Sequence, residues 1–311
     1  MEAIRIHVRG GPSLLRYEEA PRPILEPGDA LVRVYASGIT PTELTWDETY
    51  ETCDGADRLP SIPGHELSGV VEALENEAGA DVRVGDAVYG LTSFCRDGTD
   101  AEYVAVRAAD LAPKPQTLDY TQAAAVPLSA LTAWQALFDH ANLKAGQRVL
   151  IHGAVGGVGT FTVQLAHWKG AYVIGTASEK DFDFLRRLGA DELIDYKKVL
   201  FEEATSDIDV VIDAIGGETR QRSWSVMKPD GILISLVGPI SQEKAAQTGA
   251  RAVFFIVTPS WHQLIKIAEL IDSGTLIPII SATFPLDKAK EAFAQGLRGG
   301  NRGKLVLRVV H

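Results

Sequence analysis

Short apolar segments separated by Gly, Pro and Asp clusters dominate the first third of the chain. Four of these segments have the length and residue types of β-strands: 30–35, 69–74, 86–89 and 101–106. The pattern therefore predicts a β-rich domain over residues 1–117.

The pattern changes at about residue 120, where TQAAAVPLSALTAWQALFDH has a helical period and strands then alternate with helices. The predicted strands are 148–152, 172–176, 192–195, 209–214, 231–237 and 252–257. Several are almost continuously apolar, as parallel strands covered on both faces are. The alternation predicts an α/β fold with a doubly wound parallel sheet. After a helix at 261–273, the last residues return to strands, and we expect this tail to complete the first domain.

A glycine-rich turn joins one of these strands to a helix. In RVLIHGAVGGVGTFTVQLAHWKGAYVIGTAS, Gly153, Gly156, Gly157 and Gly159 fall between a strand and a helix, and a second strand follows. Bare backbone N–H groups at a helix N-terminus can hold the pyrophosphate of a dinucleotide. Four glycines within seven residues exceed what a tight turn requires, so this segment predicts a dinucleotide site.

The second strand ends without the Asp or Glu that usually binds the ribose 2′-hydroxyl of NAD. Residues 176–178 are Thr-Ala-Ser, and Lys180 follows, which leaves room and positive charge for a 2′-phosphate. Glu179, Asp181 and Asp183 add negative charge nearby, so a solvated surface lysine remains the alternative. The sequence favours NADPH over NADH.

Composition excludes several classes of protein. There are 41 acidic and 30 basic side chains, and the net charge of −11 disfavours nucleic acid and anionic membranes as partners. A charged N-terminus and the lack of a long apolar run predict a cytoplasmic protein without a membrane segment. The two cysteines, Cys53 and Cys95, could form at most one bridge, and we expect free thiols.

Nine segments occur along the whole chain in a recognisable order: ASGITPTEL, IPGHELSGVVEAL, VRVGDAVYG, AEYVAV, AAAVPLSALTAWQAL, the glycine-rich unit, LGADELIDY, DVVIDAIGG and RGKLVLRV. Together they resemble the zinc-independent quinone oxidoreductase (zeta-crystallin-like) branch of the medium-chain dehydrogenase/reductase superfamily. Val155 departs from the small residue that this branch often has. The resemblance implies a Rossmann NADP-binding domain over 118–274 and a β-rich GroES-like catalytic domain over 1–117, completed by 275–311.

The resemblance also implies the NADPH contacts. Gly156, Gly157 and Val158 would meet the pyrophosphate, and Ser178, Lys180 and Tyr196 the 2′-phosphate. The nicotinamide side would be formed by Thr132, Ile215, Gly216, Val237, Gly238, Phe255 and Ile256, with Arg302, Gly303 and Lys304 approaching from the tail. Each of these could instead be a turn glycine, a strand-end side chain or a surface cation.

His65 and Glu66 belong to a Gly-His-Glu motif whose histidine binds metal in the zinc alcohol dehydrogenases of this superfamily. Catalytic zinc needs three protein ligands, and the expected cysteines are missing from residues 38–40 and 124–131. We therefore expect no metal. Without a Lewis acid the hydride acceptor must already be electrophilic, such as a quinone or an α,β-unsaturated carbonyl.

The segment TPTELTWDETYETCD supplies the remaining candidates. By family position Thr40 lies close to the nicotinamide. Tyr50 is a candidate proton donor for the step after hydride transfer, Trp46 could stack on a planar acceptor, and Thr45 would line the pocket. An ordinary surface loop remains the alternative.

The leading hypothesis is an NADPH-dependent reductase of quinones or enones. An enoyl-thioester reductase is an alternative, although the basic patch it would need for an acyl carrier or coenzyme A is not visible. A non-catalytic, crystallin-like NADPH-binding module is another. In the family the strand corresponding to RAVFFIV pairs across a dimer, so we expect a homodimer.

Overall fold

The computed structural model describes residues 1–75 and 82–310. By its contacts the chain divides into two compact units. Unit 1 contains Met1–Leu131, Thr258–Gly274 and Pro278–His311, and unit 2 contains Thr132–Val257 and Thr275–Ile277. The sequence predicts that residues 118–131 and 258–274 belong to the Rossmann domain. In the structure they group with unit 1.

The secondary structure follows in chain order. The strands are β1 (Glu2–Arg5), β2 (Arg16–Glu19), β3 (Asp29–Ile39), β4 (Glu66–Leu74), β5 (Ala87–Leu91), β6 (Tyr103–Arg107), β7 (Leu111–Pro113), β8 (Arg148–His152), β9 (Tyr172–Ala177), β10 (Glu192–Asp195), β11 (Ile208–Asp213), β12 (Met227–Ser235), β13 (Arg251–Phe254), β14 (Ile280–Pro285) and β15 (Lys304–Arg308). The α-helices are α1 (Tyr120–Ala124), α2 (Pro127–Trp134), α3 (Gly157–Trp168), α4 (Phe182–Arg187), α5 (Phe201–Ala204), α6 (Gly217–Ser223), α7 (Gln242–Thr248), α8 (Trp261–Asp272) and α9 (Ala289–Arg298). None of the described helices is long and apolar enough to cross a membrane.

Unit 1 is built on a mixed sheet with the order β14-β15-β3-β4-β5-β7, and β6 also pairs with β3. Side chains alternate along β3, where Val32 and Val34 are buried and Arg33 between them is exposed. The tail strand β15 pairs antiparallel with β3. This pairing is the physical reason why residues more than 260 positions apart meet in unit 1.

Unit 2 contains a parallel sheet with the order β10-β9-β8-β11-β12-β13. This is the strand order of a Rossmann fold, in which ligands bind beyond the carboxyl ends of the strands. Val149, Leu150 and Ile151 on β8 are all fully buried because helices cover both faces. The predicted doubly wound sheet and the β-rich GroES-like domain are both confirmed.

The apolar strand predicted at 252–257 is shorter in the structure, where β13 ends at Phe254. Its neighbour β12 ends at Ser235, which lies opposite Phe254, so the chain beyond has no strand to pair with. Phe255 and Ile256 therefore lie outside the sheet.

The prediction of free thiols is wrong, because Cys53 and Cys95 form a disulfide with a Cα–Cα distance of 5.2 Å. The two loops that carry them are held together by Arg58, whose guanidinium donates to the carbonyl oxygens of Phe94 at 3.2 Å and Arg96 at 2.5 Å. The bond joins positions 42 residues apart, a proximity that local sequence context does not reveal.

Candidate cofactor and active site

Most of the predicted cofactor residues in unit 2 follow directly after a strand of the parallel sheet. Residues 156–158 follow β8, Ser178 and Lys180 follow β9, Tyr196 follows β10, Ile215 and Gly216 follow β11, and Val237 and Gly238 follow β12. They therefore share the carboxyl edge of the sheet, where dinucleotides bind in this fold.

The turn after β8 is shaped by its glycines. Gly153 has φ +78°, and its carbonyl accepts from the Gly156 N–H at 3.0 Å. A Cβ on Gly159 would come within 2.1 Å of the Gly153 carbonyl oxygen, so only glycine lets α3 approach β8 this closely. Gly156 is the N-cap of α3 and has no side chain to occupy the first N–H groups of the helix. The turn thus fits a pyrophosphate, with Gly157 and Val158 at the start of the helix.

Three lysines follow strands β9 and β10, at the position predicted for the 2′-phosphate. Ser178 is half-buried and Lys180 is exposed after β9, and Tyr196 is exposed after β10. Lys197 and Lys198, which the sequence reasoning missed, follow Tyr196. They could have been predicted from the sequence, because they directly follow Tyr196, which is itself a predicted contact at this edge of the sheet.

Two of the three acidic residues that weakened the NADPH prediction have basic partners. Glu179 pairs with Lys198, and Asp183 pairs with Arg186 at 3.2 Å. Asp181 is buried. The negative charges of Glu179 and Asp183 are therefore offset by Lys198 and Arg186, and the positive charge of Lys198 is offset in turn.

Apolar side chains occupy the opposite half of the edge. Ile215 is 58% exposed and Val237 is 52% exposed. The Asp213 carboxylate accepts from the N–H groups of Ile215 at 3.0 Å and Gly216 at 2.8 Å, which fixes this turn. Such surface suits one face of a nicotinamide ring.

Three further predicted contacts of unit 2 lie at different places. Thr132 is buried in α2, whereas Ile256 is exposed beyond β13. The Phe255 ring packs on His140, with ring centroids 4.4 Å apart. Gly238, after β12, has φ +154°, and a Cβ there would meet no atom within 4 Å.

Unit 1 contains a buried polar cluster that the sequence reasoning did not assemble. It consists of Glu43, His65, Glu66, Asp100 and Lys304, each at most 6% exposed. Lys304 forms an ion pair with Glu66, and Glu43 accepts from the Gly64 N–H at 2.9 Å. Asp100 accepts from the Ser37 hydroxyl at 2.6 Å. Burying charged groups is costly unless they pair or change protonation.

Burial sets the protonation of the cluster. It raises the pKa of Glu43 well above its ordinary value, reinforced by the charge of Asp100, and raises the pKa of Asp100 as well. Burial, together with the positive charges of Arg58 and Lys304, lowers the pKa of His65 to about 3. The imidazole is thus neutral at physiological pH, and burial disfavours the charged forms of the Glu43 and Asp100 carboxyl groups.

Trp46 lies in an aromatic group with His65 and Phe94. Its ring stacks on His65 with centroids 5.8 Å apart, and Phe94 packs against both rings at 5.7 Å and 4.7 Å. Trp46 remains half-buried and Thr45 beside it is exposed. This group could hold a flat, conjugated molecule.

The remaining predicted residues of unit 1 differ in how they are used. Tyr50 is buried in an apolar cluster, and its hydroxyl donates to the Leu44 carbonyl at 2.6 Å, so this geometry favours packing over proton donation. Gly303 has φ +75°, and a Cβ there would collide with the Ile279 carbonyl, which makes it a turn glycine. Arg302 is exposed.

Lys304 is the predicted cofactor contact that the structure uses differently. Its ammonium group is buried, and it is engaged by Glu66 and by the Thr40 hydroxyl oxygen at 3.2 Å. The sequence places Lys304 only at the start of a strand, whereas the sheet turns it toward these two side chains.

Among the described residues, no group of three or more His, Cys, Asp or Glu side chains could hold a metal ion. His65, the histidine of the Gly-His-Glu motif, has its Nε2 3.2 Å from a carboxylate oxygen of Glu43. A reaction without metal remains a prediction.

Comparison with known proteins supplies the family. Residues 26–116 match the alcohol dehydrogenase GroES-like domain, and residues 188–307 match a family described as zinc-binding dehydrogenase. The human mitochondrial NAD(P)H oxidoreductase RTN4IP1 is 32% identical over 91% of this chain and 82% of its own length. A 2-methylene-furan-3-one reductase of Solanum lycopersicum is 32% identical over 92% of this chain and 73% of its own. The structure of the quinone oxidoreductase from Coxiella burnetii superposes with a TM-score of 0.92 at 32% identity and covers 100% of this chain and 99% of that one.

The chain belongs to the medium-chain dehydrogenase/reductase superfamily. Its relatives place it with the quinone-oxidoreductase-like members, and its general activity is that of an NAD(P)H oxidoreductase. The glycine turn and the strand ends beside it remain the predicted cofactor site of unit 2. Because this human relative is described as mitochondrial, the cytoplasmic location of the present chain remains a prediction.

Proposed function

We propose that this chain is an NADPH-dependent reductase of quinones or α,β-unsaturated carbonyl compounds. The observation that carries the proposal is the carboxyl edge of the Rossmann sheet, where Lys180, Lys197 and Lys198 follow two adjacent strands and β9 ends in Ala177 instead of an acid. A phosphate binds favourably to lysine ammonium groups, and an acid at the end of β9 would instead select the free ribose hydroxyl.

Unit 1 contains candidate groups for binding the acceptor. Trp46 and Phe94 pack against each other and offer aromatic surface for a flat conjugated acceptor, and Thr40, six positions before Trp46, offers a hydroxyl group. When bound, NADPH would supply the hydride, and the protein would orient the acceptor and exclude water. The quinone oxidoreductase and furanone reductase among the relatives support these two acceptor classes.

The test is NADPH oxidation by chelator-treated protein, with a simple benzoquinone and a 2-alkenal as acceptors and NADH in parallel. We expect turnover of at least one acceptor, with kcat/KM higher for NADPH than for NADH. If NADPH binds and neither acceptor is reduced, the non-catalytic module becomes the better account. Metal-dependent turnover would contradict the metal-free reaction.

We also propose a homodimer that pairs through β13. This strand has β12 on one side and no strand on the other among the described residues, and Phe254 is 38% exposed. Light scattering on the wild type and on Val253→Lys tests this. We expect a dimer that the lysine disrupts, whereas a wild-type monomer would contradict the proposal.

A further inference from the structure

Sheet register brings three chemically active side chains together at one end of unit 1. Strand β15 pairs with β3 so that Leu305 lies opposite Ile39, which places Lys304 opposite Thr40 one position further on. Strand β4 pairs with β3 so that Glu66 lies opposite Gly38. Residues opposite one another, or two apart on one strand, share a face of the sheet. Thr40, Glu66 and Lys304 therefore point to the same side.

The space for the Glu66 carboxylate is created by Gly38. A Cβ on Gly38 would lie 2.6 Å from the Glu66 carboxyl group and 2.5 Å from the Ala124 carbonyl oxygen. Glu66 is fully buried, and its second oxygen accepts from the Leu128 N–H at 3.0 Å. The carboxylate is thus held rigidly from two sides, and it holds Lys304 through the ion pair.

Lys304 uses a second N–H on Thr40. The ammonium nitrogen lies 3.2 Å from the Thr40 Oγ1, and an ammonium group can only donate, so Oγ1 is the acceptor. Thr40 precedes the 3₁₀ helix Pro41–Thr45 in the N-cap position, yet its side chain makes no capping hydrogen bond. The hydroxyl oxygen is therefore not used by the backbone N–H groups of that helix, and it accepts from Lys304 instead. Thr40 is half-buried and Lys304 is enclosed, so of these two residues Thr40 is the one with surface open to a ligand.

We propose that Lys304, fixed by Glu66, is a positioning residue that polarises the Thr40 hydroxyl, and that this hydroxyl donates a hydrogen bond to the carbonyl oxygen of the acceptor. This inference rests on the proposed function. It assigns to Thr40 and Lys304 the hydrogen bonding that water would otherwise provide to the carbonyl oxygen of the acceptor. Hydrogen bonds to a developing oxyanion are stronger in a dry site, and accepting one from a cation makes a hydroxyl a better donor.

The reaction balances with the groups already named. The β-carbon of the enone would gain a hydride, with its two electrons, from bound NADPH, which would leave as NADP⁺. The π-electron pair of the C=C bond shifts so that negative charge develops on the carbonyl oxygen, where Thr40 donates. A proton from water then bonds to the α-carbon and gives the saturated carbonyl compound.

The first test is a mutational cycle on the full-length protein. Thr40→Val should lower kcat/KM for the enone by about 10-fold to 100-fold, as expected for a lost hydrogen bond to a charged oxygen, and Thr40→Ser should retain most of it. Lys304→Met alone would leave Glu66 as an unpaired buried charge, so Lys304→Met/Glu66→Gln is the second variant. In that background Thr40→Val should cost much less, while the NADPH dissociation constant stays unchanged. Equal costs of Thr40→Val in both backgrounds would overturn the positioning role of Lys304.

The second test does not depend on turnover. Pentafluorophenol, ionised at neutral pH, and phenol, which is not, serve as probes of an oxyanion site, and their binding is measured by calorimetry with and without NADP⁺. We expect the wild type to prefer pentafluorophenolate by about 10-fold or more, and Thr40→Val and Lys304→Met/Glu66→Gln to lose this preference. Lys266→Met, an exposed lysine of α8 that pairs with Glu269, is the matched control and should keep it.

The two tests separate the inference from the proposed function. A wild type that shows the Thr40-dependent preference but reduces no acceptor refutes the proposed function and supports the oxyanion site. A wild type that reduces enones while Thr40→Val keeps both full activity and the phenolate preference refutes the inference alone.

Discussion

Asp195 and Ala177 lie directly opposite each other as the last paired residues of two adjacent parallel strands. The segments that follow, Tyr196–Lys198 and Ser178–Lys180, consequently leave the sheet side by side. Two stretches that are separate in the sequence thus form one surface with three lysines, of which Lys198 pairs with Glu179. The charge of this surface determines the expected choice between NADPH and NADH.

Lys180→Ala should raise the KM for NADPH by about 10-fold and change the KM for NADH little, because only NADPH carries the 2′-phosphate. Steady-state kinetics with both cofactors measures this. Lys169→Ala, an exposed lysine at the end of α3, is the control and should affect neither. An equal loss with the two cofactors would argue against a phosphate contact at Lys180.

Two glycines of the turn after β8 should respond differently to alanine. Gly159→Ala forces a Cβ to 2.1 Å from the Gly153 carbonyl oxygen, so we expect a markedly lower melting temperature. At Gly156 a Cβ would lie 3.4 Å from the same atom, and φ is an ordinary −73°. Gly156→Ala should therefore fold normally and bind NADPH more weakly, because the methyl group covers the approach to the helix N-terminus. Equal melting temperatures for the two variants would contradict this account of α3 packing.

The Cys53–Cys95 disulfide should contribute to stability, because it closes a long loop in the unfolded chain. Cys53→Ser/Cys95→Ser is expected to lower the free energy of unfolding by about 2–4 kcal/mol. Urea denaturation measures the change, and thiol titration of the native wild type without reductant should find no reactive thiol. Two reactive thiols in the native protein would mean that the bond does not form.

His65 should make the protein less stable in acid. Its pKa falls from the ordinary 6.5 to about 3 on folding, so between these values the unfolded chain binds a proton that the native chain does not. Stability is then lost as the pH decreases through this window, by about 2 kcal/mol for this group at about pH 5. Urea denaturation at about pH 7.5 and about pH 5 should show a smaller acid loss for His65→Gln than for the wild type. The exposed His262, changed to Gln, should leave the acid loss unaltered, and the same loss in His65→Gln would refute the burial argument.

Tyr50→Phe should leave turnover of enones unchanged, because the hydroxyl is occupied by the Leu44 carbonyl. Loss of that hydrogen bond is expected to cost about 1 kcal/mol of stability. Steady-state kinetics and urea denaturation on the same preparation separate the two effects. A large fall in kcat with unchanged stability would restore Tyr50 as a proton donor.

Local pattern determined much of this protein. Alternation of side chains along β3, the continuous apolar runs of β8 and β11, and the glycines between β8 and α3 are each visible within a few residues, because strand and turn preferences are local. For that reason the Rossmann sheet, the β-rich domain and the cofactor turn could be predicted from the sequence.

Only the tertiary structure decided how distant segments combine. Register between β15 and β3 buries Lys304 beside Thr40 and Glu66, and this turns a predicted cofactor contact into part of a polar cluster. In the same way, Arg58 bridges the two cysteine loops, and the parallel pairing of β9 with β10 adds Lys197 and Lys198 to the cofactor edge. The pKa values of the buried polar cluster around His65 depend on every residue that surrounds it in space. Those neighbours come from distant parts of the chain, so a local stretch of sequence does not reveal them.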